Sequence, residues 1–287
     1  MLILKAILLG LIQGLTEFVP ISSSAHLVIV PWMLRWNDPA LESLSFDVAL
    51  HVGTLVALLG YFARDWVRLI RSGIASVAER KIGEDPDRRL VWFLVIGSVP
   101  GAVMGFLFEN KIEAWFHPSQ GSIRSSSMIA MALVIAALGG LLFLAERLAA
   151  HRRRMGQLTF KDSVLVGLAQ ALAIFPGVSR SGSTITAGLA LGLERETAAR
   201  FSFLLSAPIV AGAGLKSLLK ISKGMRSGAI THSDTVLFAV GFIAAAVSGY
   251  FCIKFLLRFL QKHSTNIFVY YRWMLALLVL VVALGRG

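Results

Sequence analysis

Apolar residues run along this chain in long stretches separated by short polar segments. A helix needs about 20 mostly apolar residues to cross a bilayer. Six stretches meet that demand: 44–63, 90–108, 128–145, 201–219, 235–257 and 267–284. Two further regions have another pattern. Residues 2–19 are apolar, then interrupted by Ser22-Ser23-Ser24-Ala25-His26, and resume only over 27–34. Residues 163–175 lead into Pro176-Gly177-Val178-Ser179-Arg180-Ser181-Gly182-Ser183, followed by 184–193. Each is a pair of short apolar arms around a polar tip. That pattern predicts a re-entrant hairpin, because irregular backbone at membrane depth persists only where it lines a cavity. The expected architecture is all-α and polytopic, with six transmembrane helices plus two re-entrant hairpins in one integral membrane domain over 1–287.

Composition narrows the class. Of 287 residues, 56% are hydrophobic and 15% are charged, against about 25% charged in an average soluble domain. Mean hydropathy is +0.74. These values exclude a soluble globular enzyme, a disordered chain and a nucleic-acid-binding domain. The formal charge of +12 changes the picture only through its distribution. The basic residues sit in blocks between apolar runs, as cytoplasmic loops do. Loop 64–89 holds Arg64, Arg68, Arg71, Arg80, Lys81, Arg88 and Arg89, and loop 146–162 holds Arg147, Arg152, Arg153, Arg154 and Lys161. The intervening 109–125 has only Lys111 and Arg124. This places 64–89 and 146–162 in the cytoplasm and opens the 2–34 hairpin to the outside. The 216–234 loop, with Lys216, Lys220, Lys223 and Arg226, fits that bias least well.

The first segment has the outline of a signal peptide, with Lys5 before an apolar run. Glu17 and Pro20 interrupt it, and a similar segment recurs later, so retention is expected. Gly10-Leu11-Ile12-Gln13 matches Gly167-Leu168-Ala169-Gln170, Phe18 matches Phe175 and Ser22 matches Ser179, all 157 positions apart. Each half (about 1–145 and 160–287) then has one hairpin and three spans. The odd span number inverts the second copy, and such repeats typically meet around a polar site near the midplane. The single cysteine, Cys252, excludes an intramolecular disulfide, and no CxxC or HExxH occurs.

The polar tips carry the candidate chemistry. A carboxylate in an apolar arm, as at Glu17, costs several kcal/mol unless paired or hydrated. Gln13 lies one helical turn earlier on the same face. Their oxygens are hard donors, suited to Mg²⁺ or Ca²⁺. Ser22, Ser23, Ser24 and His26 follow; an imidazole can transfer a proton or attack phosphorus. In the second tip, Ser179, Ser181, Gly182, Ser183 and Thr184 offer hydroxyls and helix-start N–H groups to an anion. Arg180 adds a planar fork matched to phosphate oxygens, and also suits pairing with Glu17. Asp47 and His51 either edge this site or mark a polar span end. Arg272, amid Tyr270, Tyr271 and Trp273, is expected to snorkel to an interface. A nucleophile, a carboxylate, an Arg and a metal are recurrent parts of phosphoryl transfer.

Gln13-Gly-Leu-Thr-Glu17-Phe-Val-Pro20-Ile-Ser-Ser23-Ser-Ala-His26 and Pro176-Gly-Val-Ser-Arg180-Ser-Gly-Ser-Thr184 resemble the two signature motifs of the bacterial undecaprenyl-diphosphatases, the bacitracin-resistance family. Length and span pattern agree over essentially the whole chain. The resemblance implies hydrolysis of undecaprenyl diphosphate to the monophosphate and phosphate. It further implies recycling of the lipid carrier for peptidoglycan synthesis, bacitracin resistance, and a place in the bacterial plasma (inner) membrane with the site open to the outer (periplasmic) face. By position, Glu17 and Gln13 would serve metal and water, and Ser23 and His26 would be the nucleophile or acid–base pair. Arg180 would hold the diphosphate. Gln stands at 13 where the family often has Glu, and Ala at 25 where it often has Gly. The phosphatidic-acid-phosphatase type of membrane enzyme does not fit: no Arg-Pro occurs, and Thr186 stands where its second histidine is required. A transporter or flippase for a lipid phosphate is the competing reading, motivated by the inverted repeat. The expected partners are a polyprenyl diphosphate and membrane lipids, with no nucleic acid. A homodimer is left open.

Overall fold

The computed structural model describes residues 1–116, 125–175, 177–226 and 231–286, with the backbone alone for 109–116 and 217–226. Arg124 and Pro176 lie outside the described residues, as do the side chains of Lys111, Lys220, Lys223 and Arg226. Among the described residues the chain forms eleven α-helices and no strand. They are α1 (Leu2–Phe18), α2 (Ser23–Leu34), α3 (Leu44–Tyr61), α4 (Ala63–Ala78), α5 (Pro86–Phe116), α6 (Ser125–Leu148), α7 (Phe160–Ala171), α8 (Arg180–Ala190), α9 (Arg195–Arg226), α10 (His232–Leu260) and α11 (Asn266–Arg286). Six of these, α3, α5, α6, α9, α10 and α11, are long and apolar enough to cross a membrane. Each overlaps one of the six apolar stretches, so the chain is a multi-pass membrane protein.

The spans begin where side chains can cap them. Ser43 Oγ accepts from Phe46 N at the start of α3. Thr231 and Asp234 exchange hydrogen bonds at the start of α10, as Thr159 and Asp162 do at the start of α7, which satisfies N–H groups that have no partner within the helix. One expectation needs correction: 64–89 is not a plain loop but contains α4. Its apolar residues alternate with arginines at helical spacing, so no continuous apolar run announces it.

The four shorter helices at the two predicted hairpins pack on opposite sets of spans. Helix α1 lies against α10 and α7 against α5. Both contacts are backbone-close. A Cβ added at Gly10 would collide with the Gly241 carbonyl oxygen, and one at Gly167 with that of Gly97. Small residues permit such approach where no hydrophobic drive holds helices together in lipid. The largest buried apolar cluster, including Phe18, Leu58, Ile185, Phe203 and Ile253, then fills the space between α1, α3, α8, α9 and α10.

The open ends of α7 and α8 are tied by charge. Arg153 donates to both Asp162 carboxylate oxygens and to the carbonyls of Gln157 and Leu191. Nearby, Glu146 at the end of α6 accepts from Arg195 and from the Thr265 hydroxyl. The second helix pair is thereby fixed to α6, α9 and α11, with its polar turn at the other end.

Candidate active site at the two helix breaks

Proline sets the first break. The residue before a proline is pushed out of the α region, and Val19 is extended (φ −69°, ψ 140°), ending α1 at Phe18. Ser22 then takes φ 77° and caps α2 by accepting from Ala25 N. The structure starts α2 at Ser23, four residues before the second apolar arm, so Ser23, Ser24 and His26 stand on its first turn. The second break repeats this geometry. Ser179 has φ 71°, accepts from Gly182 N at 3.0 Å and starts α8 at Arg180. Ser22 and Ser24 hydroxyls lie 3.4 Å apart, and those of Ser179 and Ser181 lie 3.3 Å apart. A left-handed conformation at a non-glycine residue costs of order 1–3 kcal/mol. Its presence at both serines, 157 positions apart, gives the two breaks one design.

Each break leaves some backbone donors without an acceptor. At α2, Ala25 N and His26 N are taken by Ser22 Oγ and Ser22 O. At α8, Gly182 N and Ser183 N are taken by Ser179 Oγ and Ser179 O. The N–H groups of Ser23 and Ser24, and of Arg180 and Ser181, have no such partner among the described residues. Paired N–H groups at a helix start form an anion site, aided by the helix dipole.

The two breaks meet through Glu17. Its Oε1 accepts from Arg180 Nη2 at 2.9 Å, and its Oε2 accepts from Gln13 Nε2 at 2.9 Å and Ser23 Oγ at 2.6 Å. His51 Nε2 is 3.7 Å from the same Oε2. Glu17 is 7% exposed and Arg180 14%, so each answers the cost of isolating the other. A second tie runs from the Ser181 hydroxyl to the Val19 carbonyl. Beside this pair a small cavity is lined by Glu17, Phe18, Thr54, Leu55, Arg180 and Ser206, among others. Thr54 and Ser206, from α3 and α9, carry no distinguishing signal in the sequence beyond a hydroxyl within an apolar span.

Other candidate residues are placed differently. The Ser183 and Thr184 hydroxyls donate to the Arg180 carbonyl, and Thr184 also contacts Ser202 Oγ at 2.6 Å. They brace the turn that carries Arg180. His26 does not line the cavity. Its Nδ1 lies 2.6 Å from the Ser22 carbonyl oxygen and its Nε2 lies 2.7 Å from the Tyr271 hydroxyl. A carbonyl only accepts, so Nδ1 carries the proton and neutral Nε2 accepts from Tyr271. Asp47 presents its backbone carbonyl to His51 Nδ1.

Arg272 corrects the expectation of a snorkelling side chain. It is 1% exposed. Its Nε donates to the Ile135 carbonyl, Nη1 to that of Pro20, and Nη2 to those of Gly177 and Val178. One guanidinium thus pins both breaks, using donors in the fixed fork that only arginine has. The flanking aromatic residues look like an interfacial belt in sequence. What reverses the reading is that both breaks pack against Arg272 and present carbonyls to it. Arg272→Leu is expected to lower folding stability by on the order of 3 kcal/mol, because several buried carbonyls lose their donors. Thermal unfolding in detergent checks this; an unchanged midpoint contradicts the bracing role.

The donor set can be tested against a divalent cation. Gln13 is fully buried, and its Oε1 has no hydrogen-bond partner. Here the amide turns its nitrogen to Glu17; rotated by half a turn, it would set this unmet oxygen beside the carboxylate, where the two fit a cation. Among the described residues, no group of three or more His, Cys, Asp or Glu side chains gathers at one point. Gln13 and Glu17 are too few for a cation caged by protein alone. They fit one that brings phosphate oxygens and water with it, as Mg²⁺ commonly does.

Comparison with known proteins shows the family. The chain is 47% identical over 283 residues to a protein of Thermomicrobium roseum named undecaprenyl-diphosphatase, covering 98% of this chain and 99% of that one. A protein of the same name from Moorella thermoacetica is 46% identical, covering 98% of each chain. One from Caldicellulosiruptor bescii is 42% identical, covering 99% of this chain and 98% of its own. The sequence model of the bacitracin resistance protein BacA family matches residues 6–278. With nearly the whole length matched, the chain belongs to the BacA family.

Proposed function

We infer that this chain is an undecaprenyl-diphosphatase: it hydrolyses undecaprenyl diphosphate, with one water, to undecaprenyl phosphate and inorganic phosphate. The observation that carries the reading is the Glu17–Arg180 contact, which joins two helix breaks with free N–H donors into one anion-receiving site. Arg180 and the N–H groups of Ser23, Ser24 and Ser181 hold the diphosphate. Ser22, Ser179, Ser181, Gly182, Ser183 and Thr184 shape the two turns that present them. The hydroxyl of Ser23 already points its proton at Glu17. It attacks the terminal phosphorus as Glu17 takes that proton, and the bond to the bridging oxygen breaks. Undecaprenyl phosphate leaves with the bridging oxygen. Glu17 gives its proton up to that departing phosphate and is a carboxylate again; it then deprotonates water, which attacks phosphorus, and returns the proton to Ser23 Oγ as phosphate leaves. His26, whose Nε2 is held by Tyr271, fixes the first turn.

A divalent cation held by Gln13 Oε1 and Glu17 when the diphosphate is bound would offset negative charge on the phosphate oxygens. Gln13→Glu should therefore be tolerated and should lower the cation concentration needed for half-maximal activity. Gln13→Ala should raise it, losing an oxygen donor but no charge. Phosphate release against Mg²⁺ and Ca²⁺ concentration distinguishes these outcomes. Identical curves for all three chains contradict a cation at position 13.

The two short-helix pairs read as re-entrant hairpins of an inverted repeat. The twin serines, and the reciprocal glycine contacts of α1 with α10 and α7 with α5, support this. With the basic loops in the cytoplasm, the site opens to the outer face of the bacterial plasma membrane. There it recycles the lipid carrier for peptidoglycan synthesis and confers resistance to bacitracin.

The same pseudo-symmetry favours a second reading, a transporter of lipid phosphates. Phosphate release from the purified protein in detergent, where no gradient exists, separates the two. Catalytic release of one phosphate per lipid supports the hydrolase. Lipid movement in vesicles with no release in detergent supports the transporter.

A further inference from the structure

Helix α4 joins the end of α3 to the start of α5, yet only one side of it is covered by protein. Leu69 and Ser76 are buried. The indole of Trp92 donates to Ser76 Oγ at 2.9 Å, and Gly73 lies close to Val91. Away from that side run Val67, Ile70, Ile74 and Val77, spaced by three, four and three residues, which puts them on one stripe. They are 50%, 57%, 65% and 64% exposed. Four large aliphatic side chains in line are more than a water-facing surface helix usually shows. Nor does α4 cross the bilayer. Its 16 residues span about 24 Å and include Arg64, Arg68 and Arg71.

On α4, Arg64, Arg68 and Arg71 lie along one flank of the stripe, and Arg80 follows in the turn that ends the helix. Arg68 is tied to Asp65 and Asp87. Arg64, Arg71 and Arg80 have no carboxylate within ion-pair distance among the described residues. A strongly amphipathic helix with arginines beside its apolar face has the form of a helix lying in the membrane interface. The spans before and after α4 expose apolar residues too, as lipid-facing helices do. Val56 and Leu59 of α3 and Val95 and Val99 of α5 are exposed on adjoining spans.

We propose that α4 is a docking surface for anionic phospholipid: its aliphatic stripe lies among acyl chains, and Arg64, Arg71 and Arg80 engage headgroup phosphates. Uncompensated arginines at that depth attract an anionic leaflet. The helix thereby fixes the α3–α5 connection to one face of the bilayer.

The test places a polarity-sensitive fluorophore on Ile74→Cys and, separately, on Arg68→Cys, in vesicles carrying brominated acyl chains. The native Cys252 is buried and serves as the unlabelled control. Quenching several-fold stronger at position 74 than at position 68 is expected. Equal quenching at the two positions, or preferential quenching at position 74 by aqueous iodide, overturns the proposal. So does disulfide cross-linking of two copies of the Ile74→Cys variant, which would make the stripe a contact between chains. A second measurement covers the charge. Thermal stability of the wild type should be higher in phosphatidylglycerol than in phosphatidylcholine nanodiscs. The combined variant Arg64→Gln, Arg71→Gln, Arg80→Gln should lose that difference, and its persistence overturns the assignment of these arginines.

Discussion

Glu17→Gln is expected to reduce phosphate release to near background while leaving the protein folded. The amide retains the shape of the carboxylate and can still accept from Arg180 or Ser23. It cannot take a proton from Ser23 or from water. Loss of a positioned base typically removes a factor of about 10²–10⁴ in rate, and loss of charge beside Arg180 adds to it. The measurement is phosphate release from a polyprenyl diphosphate by purified variant and wild type, with thermal unfolding as the control for folding. Activity near that of the wild type would make Glu17 a structural acid and remove the assigned chemistry.

Arg180→Lys should also lose most activity although the charge is kept. Arg180 uses one edge of its fork on Glu17 and directs Nη1 toward the Ser202 carbonyl at 3.4 Å. A lysine ammonium is a compact point charge and cannot hold a carboxylate and a phosphate in one plane. Removing a donor aimed at transition-state charge commonly costs a factor of about 10²–10³. Steady-state kinetics should place the loss mainly in kcat. Near-normal turnover would reduce Arg180 to a counter-ion for Glu17.

The spans were legible because the bilayer imposes a length and a composition that no soluble fold mimics. The two polar interruptions were legible for the same reason: Glu17 and Arg180 are too costly in lipid to be incidental. The structure extends α2 back to Ser23 because Ser22 supplies a cap that hydropathy does not register. Helix α4 was hidden since its apolar residues are spread over a stripe rather than a run. Arg272 was misplaced because Tyr-Tyr-Arg-Trp is also what an interfacial belt looks like. Its true partners are carbonyls of Pro20, Ile135, Gly177 and Val178, distant in sequence and invisible to spacing. Thr54 and Ser206 line the cavity only because α3 and α9 pack beside both breaks. That is a tertiary fact with no local sequence signature.

The central claim is that two helix breaks, 157 residues apart in the chain, act as one hydrolytic site through the Glu17–Arg180 contact. A double-mutant cycle in phosphate release measures this directly, using Glu17→Gln, Arg180→Lys and the combined variant. Residues that act as a unit give strongly non-additive losses. The account predicts that the combined variant is about as slow as the slower single variant. If the two losses multiply, the breaks contribute independently and the single-site account is contradicted.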